Sequence, residues 1–306
     1  MAGDALYNNV SLLLHCDGSN GSTTFTDNSP TPKTVTANGG AQISTAQSKF
    51  GGSSMYLTGA GSYLSTPSVP DLLFGSGDFT AEAWVRPSAI SSSQKIVGVW
   101  SDTTGTGFSW KLGILGTGYL YFSYSTTGGN GFSVSATSQQ ISANAWSHVA
   151  AVRSGTTIYL FVDGVLAGSA TGVSATFFGT SASKLLEIGR DGAGTTEYFN
   201  GYIDDLRITK SVARYTGNFT PPAAAFGDRL PQVSGNVKDA SGANAARTVR
   251  AYRRDTGALV GSATSNGTTG NYTIDCATDV EVTVIAFDNA TSGTYYNDQV
   301  ARVIPA

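Results

Sequence analysis

Two aspartates stand among mostly apolar neighbours, and both are suited to binding a hard cation. Asp204 alternates in phase with Leu206 and Ile208 on a predicted strand, so we expect its carboxylate to point into the protein. A buried carboxylate needs a hydrogen-bond donor, a cation or a metal ion. Asp17, which precedes a glycine, could supply a second carboxylate, with backbone carbonyls completing the oxygens that Ca²⁺ takes. The sequence therefore predicts either a calcium site at Asp17 and Asp204 or a hydrogen bond from a neighbouring loop to Asp204.

A second set of side chains combines aromatic rings with amides and carboxylates on predicted loops. Aromatic rings stack on the CH faces of sugars, and nearby polar groups fix the orientation of the ligand. The candidate ligand-binding residues are Trp100, Asp102, Trp110, Asn130, Phe178, Asp191, Tyr198 and Asn200. For Trp100 and Trp110, packing in the core is the alternative role.

Catalytic chemistry is not indicated. Glycoside hydrolysis needs two carboxylates at a defined separation, and none of the three glutamates in the predicted first domain has an acidic residue two positions away. The two histidines, His15 and His148, lie within apolar runs without a Cys/His cluster, which favours structural roles. We therefore predict no catalytic residues, although folding could still bring two aspartates together.

The elements that carry these residues are predicted to be short β-strands. Runs rich in β-branched and aromatic residues alternate with Gly, Ser, Thr and Asn turns, and no sustained helical periodicity occurs, which is typical of an all-β sandwich. The run 79–86 alternates cleanly and places Trp84 on its polar face, so this face should also meet a second layer. Asp163-Gly164 predicts a type I′ hairpin turn.

A Pro/Ala-rich linker at 221–228 divides the chain. We predict two domains, residues 1–228 and residues 229–306. The second has about seven predicted short strands, as in a small Ig-like sandwich. The two cysteines fall in different predicted domains, so no disulfide is expected.

Several motifs occur in one order along the first domain. They lie at 12–18, 22–27, 50–54, 77–85, 146–150 and 202–208. With them, residues 6–228 resemble laminin-G-like, concanavalin A-like jelly rolls of the form frequent in bacteriophage tail and virion proteins. Cys16 departs from the bulky apolar residue usual at its position. The resemblance implies a binding fold, and related jelly rolls often carry Ca²⁺.

The second domain carries a separate resemblance. Residues 232–306 resemble the carboxypeptidase-regulatory, transthyretin-like sandwich through motifs at 235–237, 253–257 and 270–273. The predicted fold is therefore a concanavalin A-like jelly roll followed by a small Ig-like or transthyretin-like β-sandwich.

Composition narrows the function classes. Charged residues are only 13% of the chain and the net charge is −3, which gives no basic surface for nucleic acid. No apolar run has transmembrane length, so no membrane insertion is expected, and the start lacks the basic region of a signal peptide.

Composition and resemblance together predict a non-catalytic bacteriophage virion surface protein, either tail-associated or a capsid decoration protein. It would be made in the host cytoplasm, exposed on the particle exterior in many copies beside other virion proteins, and would bind host-surface polysaccharide. The alternatives are a purely structural decoration protein, a bacterial surface adhesin and a polysaccharide depolymerase.

Overall fold

Short antiparallel strands make up nearly all of the regular structure. A computed structural model of the chain describes residues 3–59, 61–67, 70–100, 107–129, 131–179, 184–192, 197–239, 241–278, 280–287 and 299–305. Within these ranges the regular elements are β-strands and two 3₁₀ turns, Tyr7–Asn9 and Pro70–Leu72. The predicted all-β fold class is confirmed. None of the described residues belongs to a helix long and apolar enough to cross a membrane.

The chain divides into two compact units. The jelly-roll unit comprises residues 9–225, and the C-terminal unit comprises residues 226–306 together with residues 1–8. The division between Ala225 and Phe226 falls inside the Pro/Ala-rich segment, where proline and small residues offer little to pack.

The jelly-roll unit contains fifteen strands among its described residues. They are β1 (Val10–Leu14), β2 (Thr36–Asn38), β3 (Gln42–Ser44), β4 (Ser54–Thr58), β5 (Tyr63–Pro67), β6 (Phe79–Pro87), β7 (Gln94–Trp100), β8 (Phe108–Ile114), β9 (Leu120–Ser125), β10 (Gly131–Ser135), β11 (Ser147–Ser154), β12 (Thr157–Val162), β13 (Val165–Ala170), β14 (Leu185–Ile188) and β15 (Asn200–Lys210). An eight-stranded sheet has the order β13-β12-β11-β6-β15-β4-β3, with β1 also paired to β15. A seven-stranded sheet has the order β10-β9-β8-β7-β14-β5-β2.

The core of this unit contains side chains from both sheets, because alternate residues of each strand point to one face. Aromatic rings fill its centre. Phe74 stacks on Phe79 at 4.0 Å and on Trp110 at 4.5 Å, and Phe79 stacks on Phe122 at 5.3 Å. The indole N–H of Trp110 donates to the Leu72 carbonyl at 2.9 Å, so its polar atom is satisfied inside the core.

The turn between β12 and β13 shows how sequence fixes one connection. Asp163 and Gly164 have φ angles of 48° and 76°, as a type I′ turn requires. The Asp163 carboxylate accepts the backbone N–H of His148 at 2.8 Å. A side chain at Gly164 would collide with the carbonyl of Phe219, so both the left-handed backbone and the close approach favour glycine.

A bulge in β15 changes the predicted orientation of Asp204. The pairing of β15 with β6 shifts register between Asp204 and Arg207, and Asp205 has a φ of 48°. One extra residue reverses the alternation, so Ile203 and Leu206 both enter the core. The expectation that Asp204 points inward in phase with Leu206 is therefore wrong: it lies opposite Trp84, on the outer face of the eight-stranded sheet.

The outer face of the eight-stranded sheet is covered where Trp84 and Glu82 lie, as predicted for the polar side of β6. The cover is an irregular chain segment and not a second sheet. Tyr215 and Phe219 stack on each other at 3.6 Å and pack with Phe161 against this face. Glu82 is only 1% exposed and Trp84 is 5% exposed.

The C-terminal unit has six strands among its described residues. They are β16 (Gln232–Asn236), β17 (Thr248–Arg253), β18 (Leu259–Thr264), β19 (Asn271–Asp275), β20 (Val282–Phe287) and β21 (Gln299–Val303). β16 pairs with β19, and a four-stranded sheet has the order β18-β17-β20-β21. Val233 and Ile274 from the small sheet pack with Val249 and Val284 from the large one, which gives this unit its own core.

Candidate functional site

The outer face of the seven-stranded sheet carries a cluster of charged side chains centred on Lys111. Lys111 lies on β8 between the core residues Trp110 and Leu112, so it points away from the core. Its ammonium group contacts Asp191 at 2.6 Å and Glu197 at 2.8 Å. The side chains of Lys111 and Asp191 are 10% and 9% exposed, while that of Glu197 is 24% exposed. One cation therefore holds two carboxylates, and Glu197 is the member open to solvent.

Tyr121 on β9 completes the surroundings of Glu197. Its hydroxyl donates to the Glu197 carboxylate at 2.7 Å. Burial and the neighbouring Glu197 hold the pKa of Tyr121 well above its usual value, so it remains a donor. A Cβ at Gly113 would lie 2.7 Å from the Tyr121 ring, so glycine on β8 leaves room for the ring.

Lys95 on β7 is an unusual member of this face. Its side chain is fully buried, and its ammonium nitrogen has no hydrogen-bond partner among the described residues. Burial lowers the pKa of Lys95 to about 8, although Asp191 and Glu187 partly oppose this effect. The amine therefore costs folding free energy at neutral pH.

An aromatic pair borders the charged cluster. Trp100, the last residue of β7, stacks on Phe108 at 4.5 Å with nearly parallel rings, and the Lys111 ammonium lies 5.3 Å from the Trp100 ring. Trp100 is 7% exposed, and Phe108 is half-buried. On the other side of the cluster, Arg190 pairs with Glu187 and lies over the Tyr63 ring at 3.7 Å.

The structure brings together part of the predicted ligand-binding set. Trp100 and Asp191 both contact Lys111. Tyr198 is half-buried and influences the pKa of Arg190, which places it beside the same cluster. Asn200 opens β15 as an exposed residue, and its backbone N–H donates to Gln94.

Other members of the set lie elsewhere. Trp110 is a core residue with no exposed surface, so its predicted place on a ligand-binding loop is wrong and the alternative of core packing applies. Phe178 is half-buried against Gly128, in the turn between β9 and β10. Asp102 and Asn130 lie outside the described residues.

Sequence reasoning missed Lys111, Glu197, Tyr121 and Lys95. The available signal was a lysine at an alternating position within each of two apolar strands, β7 and β8. Glu197 gives no comparable signal, because it joins the cluster only through a loop on which its φ is 59°.

The two predicted calcium ligands lie elsewhere, Asp204 on β15 of the eight-stranded sheet and Asp17 in the loop that follows β1. The Asp204 carboxylate accepts the backbone N–H groups of Lys49 at 2.7 Å and Phe50 at 3.1 Å, which is the loop hydrogen bond considered as its alternative role. Its other oxygen has no hydrogen-bond partner among the described residues, and burial raises the pKa of Asp204 to about 7. Asp17 contributes to that rise and is itself more exposed.

Asp17 lies close enough to Asp204 to raise its pKa, and the neighbouring Asp205 acts in the same direction on both carboxylates. The described ranges contain no group of three or more His, Cys, Asp or Glu that could hold a metal ion. The orphaned oxygen of Asp204 suits a cation, and Asp17 with Asp204 would hold it. The calcium site stays a prediction.

Asp205 and the histidines belong to buried pairs. Asp205 is fully buried, and His15 contacts it at 2.6 Å. His148 lies 3.3 Å from the Glu82 carboxylate, which also contacts Arg207 at 2.8 Å. Burial alone would raise the pKa of Glu82, but Arg207 and His148 outweigh it and hold the pKa well below the usual range.

Comparison with known proteins places the jelly-roll unit in a family. Residues 58–214 match the model described as the concanavalin A-like lectin/glucanases superfamily, a laminin-G type of domain. No curated protein sequence has a significant match to the chain.

The chain is similar to several solved structures at low sequence identity. The binding domain of botulinum neurotoxin serotype G has a TM-score of 0.50 and 14% identity, with 96% of this chain and 71% of that chain covered. Domain 4 of AbnA, an extracellular arabinanase from Geobacillus stearothermophilus solved with arabinotriose, has a TM-score of 0.46 and 18% identity, with 70% and 95% covered. The binding domain of botulinum neurotoxin DC, solved with rat synaptotagmin II, has a TM-score of 0.49 and 12% identity, with 98% and 70% covered. Two packed antiparallel sheets and a family match over just more than half of the residues lead to one conclusion: the chain belongs to the concanavalin A-like lectin/glucanase superfamily.

Proposed function

We propose that the chain is a non-catalytic glycan-binding protein on the surface of a bacteriophage virion, either tail-associated or a capsid decoration protein. The observation that carries the glycan part is the stacked pair of Trp100 and Phe108 on the outer face of the seven-stranded sheet, where Trp100 lies next to the Lys111 ammonium that contacts Glu197. An aromatic surface next to an oriented carboxylate provides the two kinds of contact that sugar recognition uses.

The position of Lys111 supports binding rather than hydrolysis. Asp191 and Glu197 are the two acids that contact Lys111 on this face, and a glycosidase would need the scissile bond between two such groups. Here the ammonium group of Lys111 lies between them, within 2.8 Å of each. The space that a glycosidic oxygen would need is occupied by a cation. Both carboxylates therefore have a structural role as ion-pair partners of Lys111. Glu197, which is open to solvent, can also accept hydrogen bonds from the hydroxyl groups of a sugar.

A glycan array tests the binding role. We expect the native protein to bind a subset of bacterial surface glycans, and Phe108→Ala to weaken those signals about tenfold, equivalent to about 1.4 kcal/mol. Tyr252→Ala, at a half-buried tyrosine of the C-terminal unit, is the matched control and should bind like the native protein. If no glycan signal on the array falls with Phe108→Ala, this face is excluded as a glycan site.

The virion location rests on the resemblance of the ordered motif set to phage proteins and on the low charge content of the chain, 13%. A single shallow sugar site binds weakly, whereas many copies on one particle raise avidity without new contacts. Host-surface polysaccharide and other virion proteins are the proposed partners.

Particles provide the test of location. Gold-labelled antibodies against the chain should decorate intact particles at regular positions, and unlabelled particles would contradict the proposal. A labelled particle whose protein binds no glycan would instead establish the purely structural decoration role. Release of reducing ends from host polysaccharide would establish the depolymerase role.

A further inference from the structure

A row of polar and aromatic side chains crosses the outer face of the eight-stranded sheet, opposite to the site described above. Gln42 on β3 pairs with Tyr56 on β4, Tyr56 pairs with Tyr202 on β15, and Tyr202 pairs with Arg86 on β6. Residues directly opposite each other on adjacent strands project to the same face. All four are half-buried, and their immediate chain neighbours Ile43, Leu57 and Ile203 enter the core. We name these four residues the tyrosine row.

The two rings of the row form one surface. Tyr56 and Tyr202 have ring centroids 4.9 Å apart with an interplanar angle of 32°. The guanidinium of Arg86 lies 5.8 Å from the Tyr202 ring, which extends the surface by one strand. Four strands spaced about 4.8 Å apart give the row a length of about 14 Å. This length suits a short oligosaccharide rather than one sugar ring.

The polar ends of the row have no side-chain partner in the part of the chain that the structure describes. Among the described residues, the Gln42 amide, the two tyrosine hydroxyls and the Arg86 guanidinium take part in no side-chain hydrogen bond or ion pair; the ring contacts above are their interactions. This contrasts with the cluster around Lys111, whose charged groups bond to one another. A row of rings with free donors and acceptors at its edges is what sugar recognition requires.

The positive charge of this surface favours sugars that carry negative charge. Arg86 has no carboxylate partner among the described residues. Lys49, whose ammonium lies 3.7 Å from the Trp84 ring two residues along β6, makes no ion pair there either. Among the described residues, two cations without an ion-pair partner therefore lie on this face of a protein with a net charge of −3. A guanidinium binds carboxylates through two parallel hydrogen bonds.

We propose that the tyrosine row binds an acidic glycan, one whose sugar rings carry carboxylate groups. Tyr56 and Tyr202 stack on the sugar faces, Arg86 pairs with a carboxylate, and Gln42 hydrogen-bonds to hydroxyls at the other end. The proposal is independent of the glycan site at Phe108, because the two surfaces lie on opposite sheets.

The test compares carboxylated, carboxyl-reduced and sulfated oligosaccharides on one array. We expect the native protein to bind uronate-containing or sialate-containing glycans and to lose them on carboxyl reduction. Arg86→Gln, which removes the charge and leaves a shorter polar side chain with an amide donor, should weaken this binding at least tenfold. Arg250→Gln is the matched control, because Arg250 also lies over a ring, at 5.1 Å from Phe287 in the C-terminal unit. It should bind like the native protein.

Tyr202→Ala supplies a second variant, and Arg86→Gln decides the outcome if Tyr202→Ala fails to fold. Failure of every carboxylated glycan to bind, equal binding by Arg86→Gln, or equal binding of sulfated glycans would each overturn the proposal. Phe108→Ala separates the two sites: it should leave acidic-glycan binding unchanged. A loss with Phe108→Ala but not with Arg86→Gln would assign the acidic glycan to the other sheet and refute the tyrosine row.

Discussion

Replacing two lysines of the same sheet face by methionine is predicted to change stability in opposite directions. Lys95 on β7 and Lys111 on β8 both point away from the core, and methionine retains most of the aliphatic length of either side chain. Lys111 neutralises two carboxylates, whereas the Lys95 ammonium is buried without a hydrogen-bond partner among the described residues. The same substitution therefore removes a charge that is paired with two carboxylates at Lys111. At Lys95 it removes a buried charge that lacks a hydrogen-bond partner among the described residues.

The magnitude for Lys95 follows from its pKa. A fall from 10.5 to about 8 corresponds to about 3 kcal/mol of free energy. Because the folded pKa is below the unfolded one, this cost is complete below pH 8, shrinks between pH 8 and 10.5 and is gone above. Lys95→Met should therefore raise the free energy of unfolding by about 3 kcal/mol at pH 7, and by clearly less at pH 10.

Lys111→Met should lower the free energy of unfolding at pH 7 by about 3 kcal/mol, because it leaves Asp191 and Glu197 facing each other without their shared cation. The assay is urea denaturation followed by tryptophan fluorescence, since all four tryptophans lie in the jelly-roll unit. Lys238→Met, at an exposed lysine of the C-terminal unit, should stay within about 0.5 kcal/mol of the native protein. Destabilisation by Lys95→Met at pH 7, or a gain that is the same at pH 10, would refute the reasoning.

Two further predictions concern the eight-stranded sheet. Glu82→Gln should lower the free energy of unfolding by about 3–5 kcal/mol at pH 7, because it leaves the buried Arg207 without its carboxylate. Since the pKa of Glu82 is held well below its ordinary value of 4.5, this contribution is complete above that pH and is lost on acidification, so urea titrations of the two proteins should converge toward low pH. Calcium chelation should lower the melting temperature by several degrees in scanning calorimetry if Asp17 and Asp204 hold Ca²⁺, and Asp204→Asn should remove that response. An unchanged melting temperature on chelation would exclude the calcium site.

The local residue pattern was sufficient to predict the strands and one turn. The alternation of 79–86 became β6, and Asp163-Gly164 became a turn with two positive φ angles. Both features depend on residues adjacent in the chain, where period-two alternation and backbone preference act directly. The prediction for Asp204 failed because the bulge at Asp205 is a property of the pairing between β15 and β6, which no single strand displays.

The candidate sites show the same difference between features that adjacent residues determine and features that depend on strand pairing. The aromatic residues were visible as candidates, but Trp110 and Trp100 could not be separated by composition, because burial depends on which sheet face a residue occupies. Glu197 meets Lys111 across 86 positions of the chain, and Tyr56 meets Tyr202 across 146. Such pairs arise only when strands distant in sequence become neighbours.

By itself, the sequence determined that this protein is all-β and that its first part has the ordered motifs of a jelly roll, since strand propensity, turns and alternation are local properties. The tertiary structure alone decided which charges are compensated. Lys95 and Lys111 lie in similar apolar runs, yet one ammonium is held between two carboxylates and the other has no partner among the described residues. The difference has a physical cause: interactions between charges depend on distance and burial, and both are set by packing between strands far apart in the chain.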